Sequence, residues 1–371
     1  MKIKILFYID TLIGGGAEKV LRNLVNSMNY DKFQITVQTT YKEEVSGLLN
    51  KEIRYKYCYK NKNSLSDLIF RAQVAAGLIY PMHIKDDYDI EVAYLEAAPT
   101  KIISTSTNKK AKKLTWVHCD LRKVSDDPIS YTAKTLAWYK NFDKVICVSE
   151  NVRQGFEELF GNTIPAQVIY NTVDNEDIIK KSAEKLPANI TKNKLTLVML
   201  GRLTTQKNYP RLLKSAKALL DEGFDFDLWI LGEGEDRPIL EKYISENNLT
   251  TSIKLLGFCN NPYPYLTNAD LLVCSSNYEG FSTFVTEGLI LGKTVVTTDC
   301  SGMDELLGDN EFGIITENND EAFTEGLRKM LSNPQMLNEY IQKAEIRGQY
   351  FSKEKLTAEA EALFLNILGN R

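Results

Sequence analysis

The sequence predicts an α/β protein of two Rossmann-like domains, each a parallel sheet covered by helices on both faces. Three observations carry that expectation. Strand-like and helix-like runs alternate along the chain. The alternation stops at a polar stretch, 175–193, and then restarts. A length of 371 residues is also long for a single core. The sequence shows no short-period repeat and no low-complexity segment.

The first strand is expected over 3–9. Its apolar run, Ile5 to Ile9, stops at Asp10, too soon for a signal-peptide core, and no cleavage site follows. Gly14-Gly15-Gly16 then opens a helix over 17–28, with Val20, Leu21, Leu24, Val25 and Met28 on one face. Strands at 35–40 and 90–95 flank a second helix, 65–80, whose apolar face uses Leu65, Leu68, Ile69, Ala72, Ala76, Ile79 and Tyr80. Strands at 114–117, 144–149 and 166–170 complete the first series. The second series has strands near 195–200, 227–231, 253–256, 270–274, 294–298 and 313–315. A final amphipathic helix runs through Leu356, Ala360, Leu363, Phe364 and Ile367. The longest apolar stretch, Val74 to Met82, is far below the roughly twenty residues of a membrane span.

Chemistry concentrates in two places. Glu279 and Glu287 bracket Asn277-Tyr278-Glu279-Gly280-Phe281-Ser282-Thr283-Phe284-Val285-Thr286-Glu287-Gly288. Ser282 has the chemistry of a helix N-cap, so Glu279 falls in a strand-to-helix loop and Glu287 on the first turns of the helix. Backbone N–H groups near Gly280, Phe281 and Ser282 would then face an anion. Upstream, a buried strand ends at Gly201, and Arg202 and Lys207 follow at its carboxyl end, where parallel sheets bind ligands. Two cations there can neutralise a diphosphate, arginine as a fork and lysine as a point charge. Taken singly, each of these residues reads as an ordinary surface group.

Together the two clusters resemble the family-4 retaining glycosyltransferases. The resemblance covers most of the chain. It takes in Gly201-Arg202 with Lys207, Gly232-Glu233-Gly234, Gly257-Phe258, the Glu279 to Glu287 element, Gly14-Gly15-Gly16-Ala17-Glu18, His118, and Ile169-Tyr170-Asn171-Thr172-Val173-Asp174 as a hinge. It implies the GT-B fold, two Rossmann-like domains with parallel sheets facing across a cleft. The implied acceptor-side domain is 1–173 plus about 352–371, whose last helix returns to it. The nucleotide-sugar-binding domain is 174–351. By resemblance, Arg202 and Lys207 hold the donor diphosphate and Glu287 the ribose hydroxyls. Gly257 and Phe258 frame the base, core packing being the equal alternative for Phe258. Glu279 and His118 face the donor sugar as catalytic residues, and Gly15, Gly16 and Gly201 line the donor's path.

The expected activity is metal-independent retaining transfer of a hexose or N-acetylhexosamine, from UDP by preference and GDP next, to a glycan or polyprenyl-diphosphate-linked acceptor. The nucleotide sugar is a substrate, and no cofactor or metal is expected. Asp225-Phe226-Asp227 mimics a metal-binding Asp-x-Asp motif but precedes its strand, at the wrong end of the sheet for ligands. A sugar-nucleotide epimerase and a non-catalytic sugar-nucleotide-binding subunit are the alternatives; a dinucleotide-dependent oxidoreductase lacks its glycine fingerprint.

Charge divides unevenly. Residues 1–173 hold 24 Lys and Arg against 19 Asp and Glu, while the whole chain is at −4 and is a poor nucleic-acid binder. Lys109, Lys110, Lys112 and Lys113 offer either a solvated face or a contact with an anionic membrane surface or a diphosphate-lipid acceptor. Arg122 and Lys123 could serve the acceptor's charge as well. The six cysteines show no Cys-x-x-Cys spacing and read as reduced thiols of a cytoplasmic protein, peripheral on the inner membrane face if the acceptor is lipid-linked.

Overall fold

The computed structural model describes residues 2–125 and 127–369. Two compact units divide them. Unit 1 runs to Val173 and resumes at Lys353; unit 2 covers Asp174–Ser352.

Unit 1 contains β1 (Ile3–Ile9), β2 (Phe33–Tyr41), β3 (Arg54–Tyr59), β4 (Ile90–Ala93), β5 (Lys112–Val117), β6 (Lys144–Cys147) and β7 (Ala166–Val168). Among the described residues these form one parallel sheet in the order β3-β2-β1-β4-β5-β6-β7. Its helices are α1 (Gly16–Ser27), α2 (Ser64–Ala76), α3 (Ile79–His83), α4 (Ala98–Ser104), α5 (Pro128–Tyr139) and α6 (Glu150–Phe160). In the interior strand β1, Ile5 pairs with Ile35 on one side and Ile90 on the other, and all three are fully buried. Both faces of that strand are covered, so its residues read as a continuous apolar run.

Unit 2 repeats the plan with β8 (Leu195–Leu200), β9 (Phe226–Leu231), β10 (Ile253–Gly257), β11 (Leu271–Cys274), β12 (Val295–Thr298) and β13 (Ile314–Thr316), in the parallel order β10-β9-β8-β11-β12-β13. Its helices are α7 (Asn175–Ser182), α8 (Tyr209–Asp221), α9 (Arg237–Glu246), α10 (Tyr263–Asn268), α11 (Thr283–Ile290), α12 (Met303–Leu307), α13 (Asp320–Leu331) and α14 (Pro334–Gly348). The last helix, α15 (Lys353–Leu368), belongs to unit 1. Its Phe364 ring stands 5.8 Å from Phe7, 6.3 Å from Phe33 and 6.2 Å from Trp116.

Two expectations need correction. A strand at 54–59 went unread, because Arg54-Tyr55-Lys56-Tyr57-Cys58-Tyr59 lies at the sheet edge, where aromatic residues alternate with solvated cations. The helix expected over 65–80 is two helices. Gly77 takes the left-handed conformation (φ 70°) and ends α2, and α3 starts at Ile79. Its apolar stripe also splits: Ile79 and Tyr80 are buried, whereas Leu65, Leu68 and Ile69 are exposed.

Candidate active site

Parallel pairing puts every carboxyl strand end of a sheet on one edge, and in unit 2 that edge is bound together by buried polar groups. The loop after β8 and the loop after β11 are laced: Asn277 N–H donates to the Gln206 carbonyl (2.8 Å), Gln206 Nε2 to the Tyr278 carbonyl (3.1 Å) and Asn208 Nδ2 to Asn277 Oδ1 (2.9 Å). Ser275 Oγ donates back to the carbonyls of Lys207 and Asn208 at 2.9 and 3.0 Å. Beneath them Arg211, 6% exposed, donates to Asn318 Oδ1 (2.7 Å) and Asp320 Oδ1 (3.0 Å). Asn318 Nδ2 in turn donates to the carbonyl of Asn277 (2.9 Å). Sequence reading missed Asn208, Arg211, Ser276 and Asn318. Each is a lone polar residue whose meaning comes only from partners distant in sequence.

This scaffold fixes a buried ion pair. Lys207 Nζ lies 2.6 Å from Glu279 Oε1, with side chains 17% and 7% exposed. Ser276 Oγ donates to the same oxygen at 2.6 Å. Burial is the largest influence and works to lower the Lys207 ammonium, but the Glu279 carboxylate, together with the flanking Cys274 and Cys300, holds the lysine above its ordinary value. Among the described residues Glu279 Oε2 accepts no hydrogen bond, and Lys207 donates to Glu279 alone. One carboxylate oxygen and two ammonium N–H directions are therefore without a partner among the described residues. Lys207, read from sequence as a separate phosphate cation, is thus coupled to Glu279, the carboxylate expected to face the sugar.

Ser282 caps α11 by accepting the Val285 N–H at 3.4 Å. Glu287 is buried on the same helix, as are Phe281 and Gly280 in the approach to it. Gly302 (φ 78°) fits against this loop; a Cβ there would stand 2.6 Å from the Gly280 carbonyl oxygen. Arg202 is exposed at the end of β8 and makes no ion pair among the described residues. A Cβ at Gly232 would collide with the Gly201 carbonyl oxygen, and the Gly232 N–H donates to the Gly257 carbonyl at 2.8 Å. The glycine pattern thus draws the ends of β8, β9 and β10 together. Phe258 is 66% exposed, which overturns the core-packing reading and leaves an aromatic face available. Asp225 and Asp227 sit at the amino end of β9, where Asp225 pairs with Lys194 at 2.5 Å, away from the carboxyl edge.

Unit 1 has its own carboxyl edge. His118 follows β5 and leans on Tyr94, ring centroids 5.0 Å apart. Burial depresses its pKa to about 3, so the imidazole is neutral, and its Nε2 has no hydrogen-bond partner among the described residues. Glu96, also unread in the sequence, accepts the His118 N–H (3.1 Å) and the Cys119 thiol (2.8 Å). Gly15 is the N-cap residue of α1, and the Glu18 carboxylate lies where a Cβ at Gly15 would stand. Arg122 is engaged by Asp120 (2.7 Å) and Glu158 (2.9 Å) rather than held ready for an acceptor. The basic run divides too: Lys109 and Lys110 are exposed, whereas Lys112 pairs with Asp143 at 2.8 Å and Lys113 begins the strand interior.

With this geometry in view, residues 179–347 match the family model of glycosyl transferases group 1. The matched stretch covers nearly all of unit 2. A Campylobacter jejuni protein named N-acetylgalactosamine-N,N'-diacetylbacillosaminyl-diphospho-undecaprenol 4-alpha-N-acetylgalactosaminyltransferase is 34% identical over 225 residues, 59% of this chain and 60% of that one. The chain therefore spans less than two thirds of that relative's length. Anabaena HepE in complex with UDP-glucose superposes with a TM-score of 0.76 at 20% identity, covering 98% of this chain and 99% of the other. Sucrose-phosphate synthase from Thermosynechococcus elongatus gives 0.80 at 15%, with 98% of each chain covered. Likeness at that identity speaks for the fold, which is the two-sheet α/β arrangement of GT-B glycosyltransferases.

Proposed function

We propose that the chain is a retaining, metal-independent glycosyltransferase that moves a hexose or N-acetylhexosamine from a UDP sugar to a lipid-linked glycan. The observation that carries this reading is the buried Lys207–Glu279 pair, clamped by Ser276 on a laced carboxyl edge inside the stretch that matches the group 1 model. When the anomeric carbon–oxygen bond breaks, the nucleotide diphosphate gains negative charge and the sugar gains positive charge. Arg202 and the open N–H directions of Lys207 serve the first, as oriented cations that need no reorganisation. The open Oε2 of Glu279 serves the second, as a carboxylate beside an oxocarbenium-like centre. Glu287, buried on α11, takes the ribose hydroxyls, and Phe258 offers its exposed ring to the base. His118, neutral and with an unpartnered Nε2, accepts a hydrogen bond from a sugar hydroxyl. A UDP donor and a lipid-linked acceptor are supported by what the HepE complex holds and by the name of the Campylobacter relative.

The test is a panel of UDP and GDP sugars incubated with the purified protein in EDTA, following nucleotide release and the anomeric configuration of the product by NMR. Release from a UDP sugar with configuration kept is expected. An isomerised sugar nucleotide would favour epimerase action, binding without turnover a non-catalytic subunit, and activity restored only by magnesium or manganese would end the metal-independent reading.

A further inference from the structure

Strands β4 and β5 separate before His118 is reached. Their pairing ends at Ala93 and Thr115, so the His118 N–H lies beyond the ladder that would have supplied it with a carbonyl. A side chain takes over. Glu96, in the loop between β4 and α4, accepts the His118 N–H through Oε2 at 3.1 Å and the Cys119 thiol through Oε1 at 2.8 Å. Both oxygens of one carboxylate are thus engaged by two consecutive residues at the end of β5. A carboxylate suits that task because it accepts on both oxygens and donates on neither.

The loop that carries Glu96 is itself held. Tyr94, which opens it, is 1% exposed, and its ring stands 5.2 Å from Trp116 and 5.0 Å from His118. The Tyr94 N–H donates to the Tyr8 carbonyl at 2.8 Å. Thr100, fully buried in α4, donates its hydroxyl back to the Leu95 carbonyl at 2.8 Å. Ala97, between Glu96 and the start of α4, takes φ 65° and ψ −118°. That backbone is costly for a residue with a Cβ and persists only where its surroundings enforce it. Here they enforce the turn that directly follows Glu96.

One short loop therefore holds His118 twice, the ring through Tyr94 and the backbone through Glu96. The outer nitrogen of that ring, Nε2, has no hydrogen-bond partner among the described residues, so its direction is set by where the strand end stands. Burial alone depresses the His118 pKa, and what Glu96 supplies to His118 is geometry.

We infer that Glu96 is a positioning residue for transfer: on the reading above, in which His118 meets a sugar hydroxyl, its carboxylate fixes the strand end from which the imidazole reaches the substrate.

Turnover of a UDP sugar and NMR-detected exchange of the His118 amide are compared in the native protein, E96A, E96Q, H118A and E96A/H118A, all well below their melting temperatures. E96A should lower kcat about tenfold to a hundredfold with KM for the UDP sugar within about twofold, since a displacement on the order of 1 Å is enough for such a loss. E96Q should recover most of it, its amide oxygen accepting the His118 N–H and its NH2 group meeting the thiol sulfur. In the H118A background E96A should slow turnover by less than about twofold, as expected of two residues that act through one contact. The His118 amide should exchange at least about tenfold faster in E96A than in the native protein or E96Q. The assignment is refuted if E96A keeps the native kcat, slows H118A as much as it slows the native protein, or is not improved on by E96Q. Unchanged exchange in E96A refutes it whatever the rates. A native protein that transfers no sugar, but whose His118 amide is still freed by E96A, would end the transfer reading while upholding Glu96 as the residue that fixes His118.

Discussion

At the scale of single residues, the Lys207–Glu279 pair ties stability to chemistry. Removing one partner of a buried pair leaves the other charge uncompensated, at about 3–5 kcal/mol. K207A should therefore lower the melting temperature as well as activity. Replacing both, as K207M/E279L, should recover much of the stability and none of the turnover. If K207A melts with the native protein, the pair is not the buried structural element its 17% and 7% exposures imply. His118 makes a separate prediction through pH. Its pKa is depressed from the ordinary 6.5 to about 3, so the unfolded chain takes up this proton first as pH falls. The associated stability is complete above about 6.5 and is lost as pH drops toward 3. H118N should flatten that acid limb of the melting profile, and between pH 5 and 8 it should lower the transfer rate without reshaping its pH dependence. An ionisation near 6.5 that vanishes in H118N would contradict a neutral His118.

At the scale of elements, legibility followed burial. The strands of unit 2 were readable because both faces are covered and the apolar runs are continuous: Leu197, Val198, Leu228 and Leu272 are at most 1% exposed. Edge strand β3 was not, since a strand half in water looks like a polar loop. Helix α2 gave a true period with a false conclusion, because periodicity locates an apolar face without saying that the fold buries it. In the candidate site, the Ser282 cap and the placement of Arg202 and Lys207 after β8, Glu279 after β11 and Glu287 on α11 were legible through types and spacing. The Lys207–Glu279 bond and the Arg211–Asn318 brace join residues 72 and 107 positions apart, beyond any local pattern. Gly232 tests the element level directly. It has φ 142°, and a Cβ would strike the Gly201 carbonyl oxygen, so G232A should cost at least about 2 kcal/mol and displace Arg202 with its loop. UDP affinity measured by calorimetry on the folded variant should fall. An alanine accepted with native stability and affinity would mean that the close approach of β8 and β9 is dispensable.

At the scale of the whole molecule, the chain leaves unit 1 at Val173 and returns to it at Lys353, so the two cores share a covalent path without sharing a sheet. Helix α15 completes the first core: Phe364 is fully buried among Phe7, Phe33 and Trp116, and Glu361 accepts the Asn29 N–H at 2.6 Å. A ligand confined to unit 2 can stabilise only what it touches, by about 2.7 kcal/mol at a hundredfold excess over its Kd. Calorimetry should therefore resolve two transitions, with UDP raising one and leaving the other in place. F364A removes a ring from the first core and should cost about 3–5 kcal/mol there. It should lower the transition that UDP does not move and leave UDP affinity intact. If F364A and UDP act on the same transition, folding is coupled across the chain, and the assignment of the nucleotide to unit 2 loses its thermodynamic support.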